Sequence, residues 1–574
     1  MPAGFNFSDL QHLLAIKFCF YFFVFFGIIS IWKKWPTWRI IALAGLLNGL
    51  AYFFLVKGAT AMFWGLQGDE LTIAAMFESF AHKSFWADFA YGHLPPFYPP
   101  LYFWVFAVIG KVADLNGVQI AKLASASMIA ILPIILYWTQ KLFWKNKQEE
   151  DVPNPVAWAV LPFIIMILID WDAMILKPYE VVAAAAAVLW ISFILHDIRR
   201  QLLNWKKIIA YGISGGIIFM TYYLWLIFGA IAFALYGLSL KKGEEWKYYS
   251  RLLAIALIAL AAALPFLWPL LKSYSKYGSE NWQVALLTAK GVALHFSMFA
   301  WFSWRGFILL GGLFSLLAFW RFFYVRGLLC LFLSAYVWHA MGLATVLFFR
   351  SPVQEFKGFD FFDRVVLAFA FAFAVGYVWE KLKQKKYFSA AVYPIAIISF
   401  LFASTQMLFG FFVDDPLVQE RMILSKTVKP AILELADFLK SDPDNLKKIT
   451  LSSGVPQVQA FVPLNLYIYY NQHNSHPAAA FSAKKAYLDY LAVAKTSAEL
   501  SGLAKNAWYA PIDRFIFYKD KNSADYPIFF NLDDFPNGSK ETSIGIPKKL
   551  FALPDFETVY ENSSYIVIER GDNI

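Results

Sequence analysis

Residues 63–104 read FWGLQGDELTIAAMFESFAHKSFWADFAYGHLPPFYPPLYFW. An apolar run precedes this stretch and another begins at its end. Between them lie an acidic pair, Asp69-Glu70, then Lys83, Asp88, His93 and the prolines Pro95, Pro96, Pro99 and Pro100. A polar, proline-punctuated loop between apolar helices is costly in lipid. It persists where it faces water or lines a cavity. Carboxylates beside a bilayer point first to a functional site.

Composition supports a membrane reading. The chain has 574 residues, 59% hydrophobic and 19% aromatic, with 16% charged, against about 25% charged in an average soluble protein. Mean hydropathy is +0.52. The net charge of +10 is not a nucleic-acid signature, because the lysines and arginines fall in short clusters between apolar runs, as positive-inside bias requires. Cys19 and Cys330 sit in apolar runs and suggest neither a disulfide framework nor a metal motif. The first apolar run lacks a basic leader and a small-residue cleavage site, so it is expected to stay as a span.

Runs of about 20 apolar residues mark the spans. The first covers residues 13–32 and the second 40–56. The hinge between them carries Lys33, Lys34 and Arg39, which places the hinge inside and the Asp69 loop outside. Residues 101–112 are too short to cross and are expected to form an interfacial or re-entrant helix. Lys141, Lys145 and Lys147 then fall inside after a span over 120–142. Continuing this alternation gives about twelve spans, ending at 388–412. From residue 414 onward the composition turns polar. Helices are expected over 430–440 and 483–495, and strands over 448–452, 514–518 and 565–569. The expected fold class is a polytopic α-helical membrane protein with interfacial helices and a C-terminal soluble α/β domain. Residues 1–413 form the membrane unit, with a first outer loop at about 58–118, and residues 414–574 form the outer-face domain.

This layout resembles the GT-C glycosyltransferases, and more specifically the galactan 5-O-arabinofuranosyltransferase family. Three stretches carry the resemblance: Gly68-Asp69-Glu70 with Tyr91-Gly92-His93-Leu94-Pro95-Pro96-Phe97-Tyr98-Pro99-Pro100; Leu176-Lys177-Pro178-Tyr179-Glu180; and Tyr469-Tyr470-Asn471-Gln472-His473 with Pro477 and Phe481. The chain departs from Arg- and Ala-rich family members in being rich in Lys, Phe and Ile. That departure leaves two acceptors open, a cell-surface polysaccharide such as galactan or a type IV pilin.

The resemblance implies an inverting transfer of arabinofuranose from a polyprenyl-phosphate donor at the outer face of a bacterial inner membrane. Such a transfer needs a base, cations for the leaving phosphate and a greasy groove for the lipid tail. Asp69 is the expected base; its competing reading is a helix N-terminal partner. Glu70, about 100° away on a helix, is expected to act beside it on the acceptor. Lys83, His93, Lys177, Glu180, Arg350 and Lys357 are expected to contact the donor phosphate or sugar, with His295 and Arg305 behind them. Lys177 and Glu180 share their loop with Asp170 and Asp172; Arg350 and Lys357 flank Gln354-Glu355-Phe356. The prolines and Tyr91, Tyr98 and Tyr102 have structural readings first. No metal, cofactor or nucleic-acid partner is expected; the partners are the lipid-linked donor, the acceptor and membrane lipid. The outer domain is expected to orient the acceptor without taking part in bond chemistry. The nearest rival is a GT-C enzyme moving another sugar; a lipid or sugar transporter and a membrane scaffold are the rival classes. A transporter predicts repeat symmetry and charges at mid-bilayer, whereas the charges here lie at span ends.

Overall fold

A computed structural model describes residues 6–145, 147, 151–168, 171–240, 243–280, 292–299, 303–351, 353–354, 356–359, 361–384, 386–406, 416–426, 428–520, 522–534 and 537–571. Asp170, Glu355 and residues 407–415 lie outside them, as does the side chain of Asp172.

The membrane part is all helical. Helices α1 (Phe7–Trp32) and α2 (Thr37–Val56) form the first pair. Asn6 starts α1 with a reciprocal cap, its side chain accepting from the Asp9 N–H while Asp9 accepts from the Asn6 N–H. Two short helices follow, α3 (Gly68–His82) and α4 (Leu101–Val112), then the long α5 (Gly117–Trp144). Helix α2 packs closely on α5 because Gly45 and Gly49, one turn apart, present no side chain. A Cβ on Gly45 would lie 2.3 Å from the Ala130 carbonyl oxygen, and one on Gly49 2.9 Å from that of Ala126. Small residues at this spacing let helix backbones approach in lipid.

The chain continues through α6 (Pro155–Leu168), α7 (Trp171–Leu176), α8 (Pro178–Arg199), α9 (Trp205–Tyr222), α10 (Leu224–Gly237), α11 (Glu245–Ala262) and α12 (Leu264–Tyr277). After the outer segment come α13 (Trp304–Ala318), α14 (Phe323–Phe349), α15 (Phe362–Lys383) and α16 (Lys386–Gln406). Among the described residues six helices are long and apolar enough to cross a bilayer: α1, α2, α5, α8, α14 and α15. A seventh crossing is available if α11 and α12 count together, although they bend by 77°. The sequence alone reads 252–271 as one straight span. Pro265 in the first turn of α12 lacks the N–H that would continue the α11 ladder, and the chain turns there. Helix α4 is 12 residues long, too short to cross upright, in line with the interfacial reading.

The C-terminal part is an α/β domain. Its helices are α17 (Pro416–Leu424), α18 (Pro430–Ser441), α19 (Phe481–Leu491) and α20 (Ser497–Lys505). Its strands are β1 (Ile449–Ser452), β2 (Asn465–Leu466), β3 (Arg514–Tyr518), β4 (Asp525–Asp533), β5 (Ser539–Pro547), β6 (Phe556–Glu561) and β7 (Tyr565–Arg570). The five-stranded sheet has the order β2-β1-β3-β7-β6, parallel across β2-β1-β3 and antiparallel across β3-β7-β6. Strands β4 and β5 form a separate hairpin, which the sequence reading left unassigned. One face of the sheet closes over Leu451, Phe515, Phe517, Leu488 and Leu491. At the sheet's margin Arg514 is fully buried, yet it bonds Glu569 at 2.8 Å and Asn445 at 2.7 Å and also reaches Asp442. A buried guanidinium requires such full pairing.

The domain is continuous with the membrane part. Phe77 and Phe80 of α3 share one apolar cluster with Leu435, Val458 and Tyr469. The proline loop is bolted to the domain as well. The Tyr91 hydroxyl accepts the Tyr469 N–H at 2.9 Å and pairs with Ser475 Oγ at 2.7 Å. The Leu466 N–H donates to the Ala90 carbonyl at 2.8 Å.

Candidate active site

The site is built on the first turn of α3. Gly68 adopts φ +52°, a left-handed conformation that favours glycine. The turn it allows presents the following side chains at the positive end of the helix, where a carboxylate is favoured. Asp69 faces a cavity of about 720 Å³, and Thr72, one turn later on the same side, faces it too.

The second wall is the start of α8. Lys177 is its N-cap and Pro178 its first residue, a position where the missing proline N–H costs nothing. This short turn aims Lys177 across the cavity, where its Nζ meets Asp69 Oδ2 at 2.6 Å. Glu180, in the first turn of the same helix, lies 4.0 Å from Lys177 and 3.0 Å from Lys357. Lys357 sits on a tight turn, Lys357–Phe359, just before α15. Asp69, Lys177, Glu180 and Lys357 thus form one alternating row of charges on the wall of one cavity. The Glu180 and Lys357 side chains are only 1% and 8% exposed, whereas that of Asp69 is 45% exposed and open to the cavity.

The electrostatics follow from this row. Lys177 holds the Asp69 carboxyl below its ordinary range, outweighing the opposite effect of burial. Burial and Lys357 pull the Lys177 ammonium down, but Asp69 and Glu180 win and its pKa ends above the usual lysine value. Asp69 is therefore ionised and Lys177 protonated near neutral pH.

Aromatic rings complete the walls. The hydroxyls of Tyr98 and Tyr179 meet at 3.0 Å. Tyr222 and Tyr223, at the break between α9 and α10, and Trp338 of α14 also line the space. The outer domain supplies the last side through His473 and Asn474. Asn474 Nδ2 donates to Thr72 Oγ1 at 3.0 Å, which ties this strap to α3.

Four of the eight residues singled out from sequence meet here: Asp69, Lys177, Glu180 and Lys357. The other four do not line the cavity. Glu70 turns the opposite way, is fully buried, and accepts the Trp64 N–H at 2.6 Å; burial pushes its carboxyl up to about 8. Lys83 donates to the carbonyls of Asp88 and Leu464 at 3.1 and 3.2 Å and so holds the loop against the outer domain. His93 stands between the rings of Tyr91 and Tyr277, and burial lowers its pKa to about 4. Arg350 caps α14 in a left-handed conformation and is exposed. His295 packs on Phe359, and Arg305 lies in the first turn of α13. Thr72, Trp338 and Asn474 were not foreseen. Thr72 was detectable as the residue three after Asp69, on its helix face. His473 lay in a motif stretch, with nothing in the sequence to say that it borders the same cavity as Asp69. Among the described residues no group of three or more His, Cys, Asp or Glu is placed to hold a metal ion.

Residues 19–405 match the family described as arabinofuranosyltransferase N terminal. The chain belongs to this family. The matched region runs from within α1 to the end of α16 and contains Asp69, Lys177, Glu180 and Lys357. This arabinofuranosyltransferase family member also has the fold of two crystal structures of ArnT from Cupriavidus metallidurans, one bound to undecaprenyl phosphate and one in the apo state. Each has a TM-score of 0.51 at 13% identity and covers 92% of this chain and 97% of that chain. Together with the family match, this helical membrane region carrying an α/β domain marks the chain as a GT-C glycosyltransferase. No curated protein matches the chain in sequence.

Proposed function

We propose that the chain transfers an arabinofuranosyl group from a polyprenyl-phosphate donor to an acceptor hydroxyl, in one inverting step with Asp69 as base. The observation that carries this reading is the row Asp69–Lys177–Glu180–Lys357 along one cavity at the head of the helical bundle. Family membership supports the sugar. The undecaprenyl phosphate bound to ArnT, a protein of the same fold, supports the lipid.

The chemistry follows from charge. The donor phosphate seats against Lys177 and Lys357, and Glu180 between them keeps both ammonium groups in place. The acceptor oxygen attacks the anomeric carbon while Asp69 takes its proton. The bond from that carbon to the phosphate oxygen breaks, and its electron pair leaves with the phosphate. The new negative charge falls beside the two lysines, where preorganised cations lower the barrier. One displacement inverts the anomeric centre. When Lys177 turns to the phosphate, Asp69 loses the partner that keeps it weakly basic and becomes a better base as the donor arrives.

The same reading assigns supporting parts. Glu70 braces the loop through Trp64, and Lys83 and His93 position the proline loop on the outer domain. Arg350 stands near the lipid headgroup region at the outer end of α14. About twelve crossings, with residues 1–413 as the membrane unit and 414–574 on the periplasmic or extracellular face of the inner membrane, accord with the short apolar helices Pro155–Leu168, Leu224–Gly237 and Trp304–Ala318 lying between the longer spans. The acceptor is a surface polysaccharide such as galactan or a type IV pilin. Transfer of radiolabelled arabinose from synthetic polyprenyl phosphoarabinofuranose to each acceptor, by the purified chain in nanodiscs, tests the reading. Failure with both rejects it.

A further inference from the structure

A second cavity, of about 480 Å³, opens on the other side of the Asp69 turn. Gly68 lines it while Asp69 lines the first cavity. The strap from the outer domain divides in the same way: Tyr470 and Asn471 border the second cavity, His473 and Asn474 the first. The two cavities thus share the α3 turn and the strap, Gly68 and Asp69 falling on opposite sides of that divide.

Its lining differs in kind from the charged row. Among the described residues it presents no lysine or arginine. It offers the amides of Gln457, Gln459 and Asn531, the hydroxyl of Thr542, the rings of Tyr470 and Phe529, and one carboxylate, Glu541. Gln459 is only 4% exposed, yet neither its Nε2 nor its Oε1 has a hydrogen-bond partner. Asn531 Oδ1 is also buried without one. Buried amides left unmatched are costly and rare in folded proteins. Each offers a donor or an acceptor to something entering the cavity. Phe529, by contrast, is 46% exposed on the hairpin rim, held there by its N–H donating to Ser453 Oγ at 2.9 Å.

We propose that this second cavity binds the acceptor as a neutral saccharide. The proposal rests on the transferase reading of the first cavity and adds to it the acceptor's chemical class and place. Amides match vicinal hydroxyls, which donate and accept at once, and the rings of Phe529 and Tyr470 cover the apolar C–H face of a sugar. With Glu541 on its wall and no lysine or arginine among its described residues, the cavity disfavours a phosphate. The volume is in the range of small-ligand sites, about 300–1,000 Å³.

The test uses the full chain in nanodiscs and three probes. These are the methyl glycoside of a β-linked galactofuranose disaccharide, a serine-rich octapeptide, and undecaprenyl phosphate. Binding is read by saturation-transfer NMR and calorimetry. The disaccharide is expected to bind, and Gln459→Met and Phe529→Ala each to weaken it about tenfold, the scale of one or two lost hydrogen bonds or a lost ring contact. Undecaprenyl phosphate should bind both variants as it binds the parent. Gln459→Met should not lower the melting temperature, because it removes an unmatched amide; a purely structural glutamine would lower it. Disaccharide binding indifferent to both substitutions, no disaccharide binding at all, or binding of the octapeptide in its place would overturn the proposal. If undecaprenyl phosphate fails to bind while the disaccharide still depends on Gln459, the transferase reading falls and the saccharide site stands.

Discussion

The Asp69 carboxylate and the Lys177 ammonium come from two separate outer loops and meet at 2.6 Å across the wall of one cavity. In the free protein each neutralises the other. In the proposed mechanism the pair is a resting state in which the base is restrained and the cation is already placed for an anion. Glu180 and Lys357 extend it by one more alternation. The row leaves formal charge balanced until a phosphate arrives to compete for the lysines.

Removing either lysine should weaken donor binding. Lys177→Met and Lys357→Met each delete a charge-assisted contact, about 1.5–3 kcal/mol, or roughly ten- to a hundredfold in Kd. Lys357→Met also strands the buried Glu180 and should cost stability. Lys177→Arg should retain part of the affinity. Calorimetric titration with undecaprenyl phosphate checks this, and an unchanged Kd for Lys177→Met contradicts it.

The pairing has a signature in pH. Lys177 holds the Asp69 carboxyl below its ordinary value of 3.8, so the base stays ionised well into acid. The acid limb of kcat/KM for the donor, which reports the free enzyme, should lie below that value. In Lys177→Met the limb should move to higher pH, because burial then acts on Asp69 without its main counterweight. A limb that stays put in the variant shows that another group sets it.

Glu70 should behave as a structural acid. Burial raises its carboxyl to about 8 from an ordinary 4.5. Between those values the folded protein holds a proton that the unfolded chain releases. Its contribution to stability is therefore present below pH 4.5 and is lost as pH rises through 8. Glu70→Gln, which mimics the protonated form, should melt higher than the parent at pH 8.5–9, with the two converging at acid pH. Transfer should fall much less than in Asp69→Asn. Melting curves across pH decide this; a variant that gains nothing at alkaline pH would mean that Glu70 is ionised in the fold.

Tyr91 joins the proline loop to the outer domain through Tyr469 and Ser475. Tyr91→Phe leaves a buried N–H without its acceptor, at a cost of about 1–3 kcal/mol. Hydrogen exchange should rise across residues 469–475, the strap that carries His473 and Asn474 to the cavity. Exchange unchanged in that segment contradicts the role given to this contact.

Much of this was legible in the chain because membranes constrain sequences severely. The apolar runs located the helices, and the run at 101–112, set apart by its length and by the lysines that follow the next span, forms a helix of 12 residues. Strand β3 over Arg514–Tyr518 followed from a short run of aromatic and β-branched residues, and helix α18 from an amphipathic period. The bend at Pro265 was not read, since a proline in an apolar run can also sit within a continuous helix, as Pro133 does in α5. The hairpin β4–β5 was missed because its burial alternates only weakly. For the candidate site, charges at the ends of spans, together with the family resemblance, marked Asp69, Lys177, Glu180 and Lys357, which the structure brings to one cavity. The same signal marked Lys83 and Glu70, which hold the loop architecture, and periodicity does not separate these two uses. Thr72, Trp338 and Asn474 are ordinary residues in composition; only the docking of the strap on α3 brings them into one cavity.

The account depends most on Asp69. Asp69→Asn keeps the shape and removes the base, so arabinose transfer from polyprenyl phosphate to an acceptor should fall by about 10²–10⁴, the contribution of a positioned general base. Affinity for undecaprenyl phosphate should be unchanged or tighter, because a negative charge beside the phosphate is gone and the carboxylate acts in the transition state. Single-turnover transfer measured alongside lipid affinity, on monodisperse protein, is the decisive measurement. Slow transfer with intact lipid binding is the predicted result. Near-normal transfer by Asp69→Asn would contradict the mechanism and remove Asp69 from it.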